Sequence, residues 1–125
     1  MDYCRKRICV ALALASVVTA ATAEDSPASG REVYERHCQT CHGGTAPADS
    51  PIGPDLAGIV DKRAATQSSG LHSRALTNSG IVWNRDSLRR YLADPGLAVP
   101  GTVMPTRMSD AAELESLLDY LESLR

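Results

Sequence analysis

Apolar residues recur along the chain with helical periodicity, and no stretch alternates between apolar and polar positions as a strand would. The clearest pattern lies near the C-terminus, where four leucines are spaced i, i+3, i+4 and i+7: Leu114, Leu117, Leu118 and Leu121. This stripe predicts an amphipathic helix from Asp110 to Leu124, with Asp110 and Glu113 suited to its N-terminal cap.

A second helix is predicted in the middle of the chain. Leu88, Tyr91 and Leu92 are spaced i, i+3 and i+4 and therefore share one face. We expect this helix to begin at Asn84 or Asp86. It should end before Pro95, because proline cannot continue a helix.

The earliest helix is predicted from Gly30 to Cys41. Ser29 and Glu32 have the spacing of a capping box, and the helix should stop at Gly43-Gly44. One face of it would carry Val33, Tyr34 and Cys38.

The remaining segments are expected to be loops. Residues 45–51 and 61–80 lack periodicity, a helical turn is expected over residues 57–60, and residues 94–105 contain three prolines and two glycines. The last of these should be a stiff, extended loop. The pattern as a whole predicts an all-α fold of three to five short helices, in one domain over residues 30–125.

The first 23 residues have the pattern of a cleavable signal peptide. Arg5, Lys6 and Arg7 precede an apolar run over residues 8–18, and Ala21-Thr22-Ala23 supplies small residues for cleavage before Glu24. An uncleaved membrane anchor is the alternative, but the run is about half as long as a bilayer-spanning helix requires. Residues 24–29 are polar and predict a flexible leader.

Cleavage would change both the charge and the cysteine content of the chain. It removes three basic residues and one acidic residue. Ten basic and fourteen acidic residues remain, which gives a net charge near −4. Lys62 is then the only lysine, and no basic stripe is present that would favour a nucleic-acid partner. Only Cys38 and Cys41 remain of the four cysteines.

Those two cysteines form the sequence Cys38-Gln39-Thr40-Cys41-His42, which is the c-type haem attachment pattern. Two thiols on one turn can add to the two vinyl groups on one side of a porphyrin, and the adjacent histidine can bind the iron. Two alternatives use the same residues. One is a small-loop disulfide between Cys38 and Cys41. The other is a zinc site made of Cys38, Cys41, His42 and His72.

A haem bound through His42 would leave one axial position for a second ligand. The mature chain offers Met104, Met108, His72 and His37. His37 adjoins Cys38 on the same helix and cannot reach the far side, and Met108 lies where an apolar residue normally packs into a core. Met104 stands in a proline-bounded loop with little core to fill, and its soft thioether sulfur suits haem iron.

With these residues in place, the chain resembles the class I c-type cytochromes from about Gly30 to Leu124. The resemblance is carried by the attachment pattern and by four further segments, over residues 53–56, 79–83, 91–95 and 100–104. It implies the cytochrome c fold, in which the N- and C-terminal helices cross around a single covalently attached haem c. Leu117 and Tyr120 match the residues at that crossing, where Gly30 permits close approach.

The resemblance also implies roles for individual side chains. Pro54 would accept a hydrogen bond from the proximal histidine, and Arg63 and Trp83 would contact a haem propionate. Tyr91 and Thr102 would be haem-binding residues in the segments that resemble the part carrying the distal methionine. His72 stands where the family often has a propionate-binding tyrosine, so it either makes that contact through a ring N–H or is a surface histidine.

The expected function is one-electron transfer in the periplasm by a haem with His42 and Met104 as iron ligands, and not catalysis. Partners would be periplasmic or membrane-bound redox proteins, a dehydrogenase or reductase as donor and an oxidase or reductase as acceptor, and the protein itself a monomer. The lysine ring of mitochondrial members is missing, and we expect Arg31, Arg36, Arg89 and Arg90 to be solvated helix faces rather than a docking patch. The alternative is a haem protein with an open sixth position, acting as a peroxidase or gas sensor.

Overall fold

Helices account for most of the regular structure in the computed structural model, which describes residues 28–43, 52–67 and 70–124. The helices are α1 (Gly30–His37), α2 (Gln39–His42), α3 (Arg74–Asn78), α4 (Arg85–Ala93), α5 (Pro95–Ala98) and α6 (Ala111–Ser123). Within the described ranges there is no strand, only one isolated antiparallel bridge between Arg63 and Val82. The all-α class is therefore confirmed, whereas the described ranges contain six helical segments, more than the predicted three to five.

The predicted first helix is interrupted at Cys38. The Cys38 amide still donates to the Tyr34 carbonyl, but the Cys38 carbonyl accepts both the Cys41 amide at 3.1 Å and the His42 amide at 2.9 Å. This tight turn ends α1 and begins α2, which ends as expected at Gly43. The single helix predicted from Gly30 to Cys41 was wrong at this point, because hydrophobic periodicity does not reveal an interruption at a single residue.

The crossing of α1 and α6 brings the two ends of the domain together. A Cβ atom on Gly30 would fall against the Ser116 carbonyl and 2.7 Å from the Tyr120 Cβ atom, so only glycine allows this approach. Val33 and Leu117 are completely buried at the same contact, and the rings of Tyr34 and Tyr120 lie 5.4 Å apart. The leucine stripe on α6 is buried as predicted.

Side-chain caps fix where the helices begin. Ser29 and Glu32 form the predicted capping box on α1, and Asp110 accepts the Ala112 and Glu113 amides at the start of α6. Asn84 caps α4, so the first of the two predicted starts is confirmed.

Two short helices lie where loops were expected. The Ser73 hydroxyl accepts the Leu76 amide and starts α3 inside the polar segment 61–80. The Asp94 carboxylate accepts the Leu97 amide and starts α5, with Pro95 at its first position, so residues 94–105 are not extended throughout. The expected helical turn over residues 57–60 consists instead of single reverse turns, with Gly58 in the left-handed region.

The guanidinium groups of α4 are paired with the acidic face of α6. Arg85 contacts Glu115, Asp119 and Glu122 at 2.7–2.8 Å, and Arg89 contacts Glu115 at 2.7 Å. Arg31 and Arg36 also pair with glutamates, and Arg90 is exposed, in agreement with solvated helix faces.

Several predictions concern residues outside the described ranges. The signal peptide over residues 1–23 and the loop over residues 45–51 lie there entirely. Of the predicted leader, 24–29, only Ala28 and Ser29 are described; Ala28 packs against the core and Ser29 caps α1. None of the helices in the described ranges has the length and apolar character needed to cross a bilayer.

Candidate haem site

A cleft opens between the Cys38 turn, the segments over residues 52–56, 65–67 and 71–73, and the loop that carries Met104. Its floor consists of core side chains, including Ile59, Leu88, Leu92, Leu117 and Leu121. Nine of the ten predicted site residues line this cleft: Cys38, Cys41, His42, Pro54, His72, Trp83, Tyr91, Thr102 and Met104. No Asp, Glu, Lys or Arg is among the described residues that line it.

The tenth residue, Arg63, lies outside the lining. Its side chain is exposed, and its backbone pairs with Val82 beside Trp83. Trp83 itself is buried with its ring 5.1 Å from that of Tyr91. The structure thus brings Trp83 to the cleft and places the Arg63 side chain outside it.

The two thiols are brought to the cleft by the turn at Cys38. Cys38 is buried, Cys41 is half-buried, and no disulfide joins them. Burial, with a smaller contribution from Cys41, raises the pKa of the Cys38 thiol to about 11. A thiol with so high a pKa stays protonated near neutral pH and is a poor substrate for oxidation. The structure shows no disulfide between Cys38 and Cys41, so the disulfide alternative is not supported.

The His42 ring is held by the loop that follows. Its Nδ1 atom lies 2.7 Å from the Pro54 carbonyl oxygen, which can only accept, so Nδ1 carries the proton. Gly53 donates its amide to the Cys41 carbonyl, and a Cβ atom there would lie 2.8 Å from the imidazole. The ring therefore fits only against a glycine backbone.

The electrostatics of His42 also favour a neutral ring. Burial lowers the pKa of His42, although the Pro54 hydrogen bond and Asp55 act in the opposite direction. The ring is then neutral with Nδ1 protonated, and its Nε2 lone pair is available to a metal.

The Met104 loop is fixed by a short chain of hydrogen bonds. The Tyr91 hydroxyl lies 2.6 Å from the Thr102 hydroxyl, and the Met104 amide donates to the Thr102 hydroxyl at 3.4 Å. Met104 is half-buried at the cleft, whereas Met108 is buried in the core, where its amide donates to the Leu92 carbonyl at 2.8 Å. The structure thus separates the two methionines as the sequence predicted.

His72 has one ring nitrogen satisfied and one not. Its Nε2 atom lies 3.1 Å from the Gln67 backbone carbonyl oxygen, while its Nδ1 atom is buried without a hydrogen-bond partner. The side-chain Nε2 atom of Gln67 is likewise buried without a partner. Sequence reasoning missed Gln67, because a single glutamine in a Ser- and Thr-rich loop carries no pattern.

The zinc alternative is not supported. The described residues contain no group of three His, Cys, Asp or Glu side chains that could hold a metal ion. The cleft instead offers a haem two thiols, a neutral imidazole, a thioether, apolar walls and two unpartnered buried polar groups near which carboxylates could lie. The donor set and the orphaned polar atoms thus fit a haem.

The sequence profile of the cytochrome c family matches residues 27–125. The chain belongs to the cytochrome c family. It is 33% identical to cytochrome c2 from Blastochloris viridis over 119 residues, covering 94% of this chain and 92% of that one. It is 32% identical to cytochrome c2 iso-2 from Magnetospirillum molischianum, covering 70% of this chain and 91% of that one.

Solved structures agree with this cytochrome c assignment. Cytochrome cH from Methylobacterium extorquens superposes with a TM-score of 0.68 at 31% identity, covering 78% of this chain and 97% of that one. Ferricytochrome c2 from Rhodopseudomonas palustris superposes with a TM-score of 0.67 at 29% identity, covering 77% of this chain and 96% of that one. The protein is a class I c-type cytochrome with the cytochrome c fold.

Family membership establishes the cofactor and the kind of function. The chain carries one covalently attached haem c and transfers electrons to and from redox partner proteins. It is an electron-transfer protein rather than an enzyme, so the peroxidase alternative is not retained.

Proposed function

We propose that this cytochrome c is a periplasmic one-electron carrier whose haem is joined to Cys38 and Cys41 by thioether bonds and whose iron is held between His42 and Met104. Pro54 orients the proximal ring, and Tyr91 acts through Thr102 to position the distal loop. When bound, the haem iron supplies the change of oxidation state. The protein supplies the ligands, the burial and the surface through which the electron passes.

The hydrogen bond from His42 Nδ1 to the Pro54 carbonyl carries this proposal. It fixes the tautomer, so Nε2 is the nitrogen left to bind iron. The adjacent thiols of Cys38 and Cys41 lie on the same turn and would tether the porphyrin edge beside that ring.

Met104 supports closure of the second axial position. It reaches the cleft on a loop separate from His42 in sequence, and its amide and the Tyr91–Thr102 pair restrain that loop. A thioether favours ferrous over ferric iron. With His42 and Met104 in both positions, the iron would change oxidation state with little rearrangement and would be closed to peroxide or gas ligands, as an electron carrier requires.

The walls of the cleft would act on the potential in the same direction. They bring no charged Asp, Glu, Lys or Arg side chain from the described residues to the haem. An apolar surrounding disfavours the state with the higher charge, which is the ferric one. We therefore expect a positive shift of the potential relative to a solvent-exposed haem with the same ligands.

A matched pair of methionine variants tests the ligation. Met104→Leu conserves volume but removes the sulfur, so the ferric protein should lose the methionine-to-iron charge-transfer band and its potential should fall. Met108→Leu makes the same change in the core and should retain both the charge-transfer band and the potential. A Met104→Leu spectrum identical to the wild type would refute ligation by Met104, and a high-spin wild-type ferric spectrum that changes with low cyanide would support the open-site alternative.

Export and localisation are part of the same proposal. Residues 1–23 act as the signal, and the bacterial cytochrome c2 and cH relatives support a periplasmic location. Mass spectrometry of protein from the periplasmic fraction should give a chain starting at Glu24 plus one haem, and haem staining of a denaturing gel should show the haem as covalent. A cytoplasmic, uncleaved chain would contradict export.

Partner recognition is proposed without the lysine ring of mitochondrial members. Several arginines on α1 and α4 are already paired with glutamates and aspartates, which leaves little free basic surface there. We expect a monomer that meets a donor dehydrogenase or reductase and an acceptor oxidase or reductase in turn. Sedimentation of the oxidised and reduced holoprotein checks the monomeric state.

A further inference from the structure

Arg107 follows Met104 by three residues and contacts the end of the helix from which the Met104 segment departs. That segment leaves α4 at Ala93, carries Met104 to the cleft and comes back to α4 at Met108. The Arg107 Nε atom donates to the Ala93 carbonyl oxygen at 3.1 Å, and its Nη2 atom lies 3.4 Å from an Asp94 carboxylate oxygen. One side chain therefore joins both ends of the segment.

The Ala93 carbonyl is a favourable acceptor for a guanidinium group. Ala93 is the last residue of α4, so its carbonyl is one of the four at a helix C-terminus that have no partner within the helix. These carbonyls also carry the negative end of the helix dipole, which attracts a cation. The bond from Arg107 is therefore charge-assisted, and such bonds are about twice as strong as neutral ones.

The Asp94 carboxylate serves both ends of the same segment. Its Oδ1 atom accepts the Leu97 amide at 3.0 Å and so begins α5, whereas its Oδ2 atom faces Arg107. Because the two oxygens have different partners, an asparagine at this position would keep the cap and lose the ion pair.

A buried backbone bond lies beside these contacts. The Met108 amide donates to the Leu92 carbonyl at 2.8 Å, and both side chains are buried in the core. The Arg107 side chain, in contrast, is 66% exposed. We call the contacts of residues 92–94 with residues 107–108 the neck of the Met104 segment. Opening of the neck must break the Arg107 contacts, so these contacts oppose it.

We propose that Arg107 is a positioning residue that keeps Met104 on the iron by holding the neck closed. The inference rests on ligation of the iron by Met104, as in the proposed function. An exposed ion pair contributes little by itself, and the bond to the helix terminus adds to it, so loss of Arg107 should raise the open fraction about three- to tenfold. A ligand that binds only the open form should then bind more tightly by the same factor.

Imidazole titrations of the ferric holoprotein, at fixed pH and ionic strength, measure the open fraction through loss of the methionine-to-iron charge-transfer band. Arg107→Leu keeps an apolar side chain without donors and should bind imidazole about three- to tenfold more tightly than the wild type. Arg107→Lys keeps the charge and should recover part of the difference. Arg31→Leu is the matched control, because Arg31 is an exposed arginine that pairs with Glu35 at 2.9 Å on α1. It should bind imidazole as the wild type does, and an equal increase in this control would overturn the inference.

Hydrogen exchange of the Met108 amide in the same holoproteins locates the opening, because that amide is bonded to Leu92 only while the neck is closed. Its protection should fall in Arg107→Leu, and unchanged protection would refute opening at the neck. Asp94→Asn should also raise the imidazole affinity, but adding it to Arg107→Leu should give no further increase. Independent effects of the two changes would refute the role of this ion pair.

The charge-transfer band of the wild type, recorded first, separates the two ways in which the inference can fail. A wild type with that band, and an imidazole affinity that Arg107→Leu leaves unchanged, overturns the positioning role alone. A wild type without the band refutes ligation by Met104 and the inference with it.

Discussion

Gly30→Ala should destabilise the protein although alanine is the better helix former. The added Cβ atom would fall against the Ser116 carbonyl and lie 2.7 Å from both the Ser116 carbonyl carbon and the Tyr120 Cβ atom. Carbon atoms pack at about 3.5–4.0 Å, so α1 and α6 would have to separate by about 0.8 Å or more. The obstacle is backbone, which cannot rotate out of the way as a side chain can.

The expected magnitude is about 2 kcal/mol. Overpacking in a close contact costs about 1–3 kcal/mol, and a backbone clash belongs near the upper end. Alanine returns at most about 1 kcal/mol in helix propensity, and less at the first residue of α1. Separation of the helices would also loosen Val33 and Leu117, which are completely buried at this crossing.

Guanidinium unfolding of the holoprotein, followed by circular dichroism and haem absorbance, measures the effect. With a slope of about 3 kcal/mol/M, the midpoint should fall by about 0.7 M. Gly96→Ala is the matched control, because a Cβ atom there would meet only the Asp94 carboxylate at 3.8 Å; it should change stability by less than about 0.5 kcal/mol. If Gly30→Ala is equally neutral, the close crossing of α1 and α6 is refuted.

Two further perturbations probe the cleft and the α1 terminus. Replacing Cys38 and Cys41 with alanine should leave a largely unfolded chain, since many core side chains also line the haem cleft, and a cooperative melt with a native helical spectrum would contradict this. The Tyr34 hydroxyl donates to the Gly43 carbonyl at 2.8 Å, and burial raises the pKa of Tyr34 to about 12 from 10.0. The folded state then keeps a proton that the unfolded state releases, so the contribution of Tyr34 to stability should be constant below pH 10 and be lost as pH rises towards about 12. Tyr34→Phe should lose about 1 kcal/mol at neutral pH but show a shallower alkaline decline, and parallel pH curves would exclude Tyr34 as the titrating group.

The helical faces could be predicted because they follow one rule over several turns. The leucines of α6 and the Leu88–Leu92 face of α4 are buried as their spacing indicates. The covalently attached haem c could equally be predicted, because its attachment pattern requires fixed spacing within five residues; the bonds to Cys38, Cys41 and His42 remain proposals.

Helical segments shorter than one or two turns could not be predicted from hydrophobic periodicity. α3 and α5 have four or five residues and depend on single caps, Ser73 and Asp94. A segment this short does not contain a full repeat of the apolar pattern, so the pattern cannot reveal it. The contact between His72 Nε2 and the Gln67 carbonyl oxygen depends on the conformation of the loop, so neither residue type nor spacing could reveal it.

The crossing of α1 with α6 also sets an order of events in time. A chain exported from its N-terminus delivers Cys38 and Cys41 long before α6, the last helix, has crossed. Until then α1 has no partner for Val33 and Tyr34, and a short isolated helix is marginal in water. Under the proposed export, the two thiols would therefore remain reachable for haem attachment until α6 arrives and packs against α1.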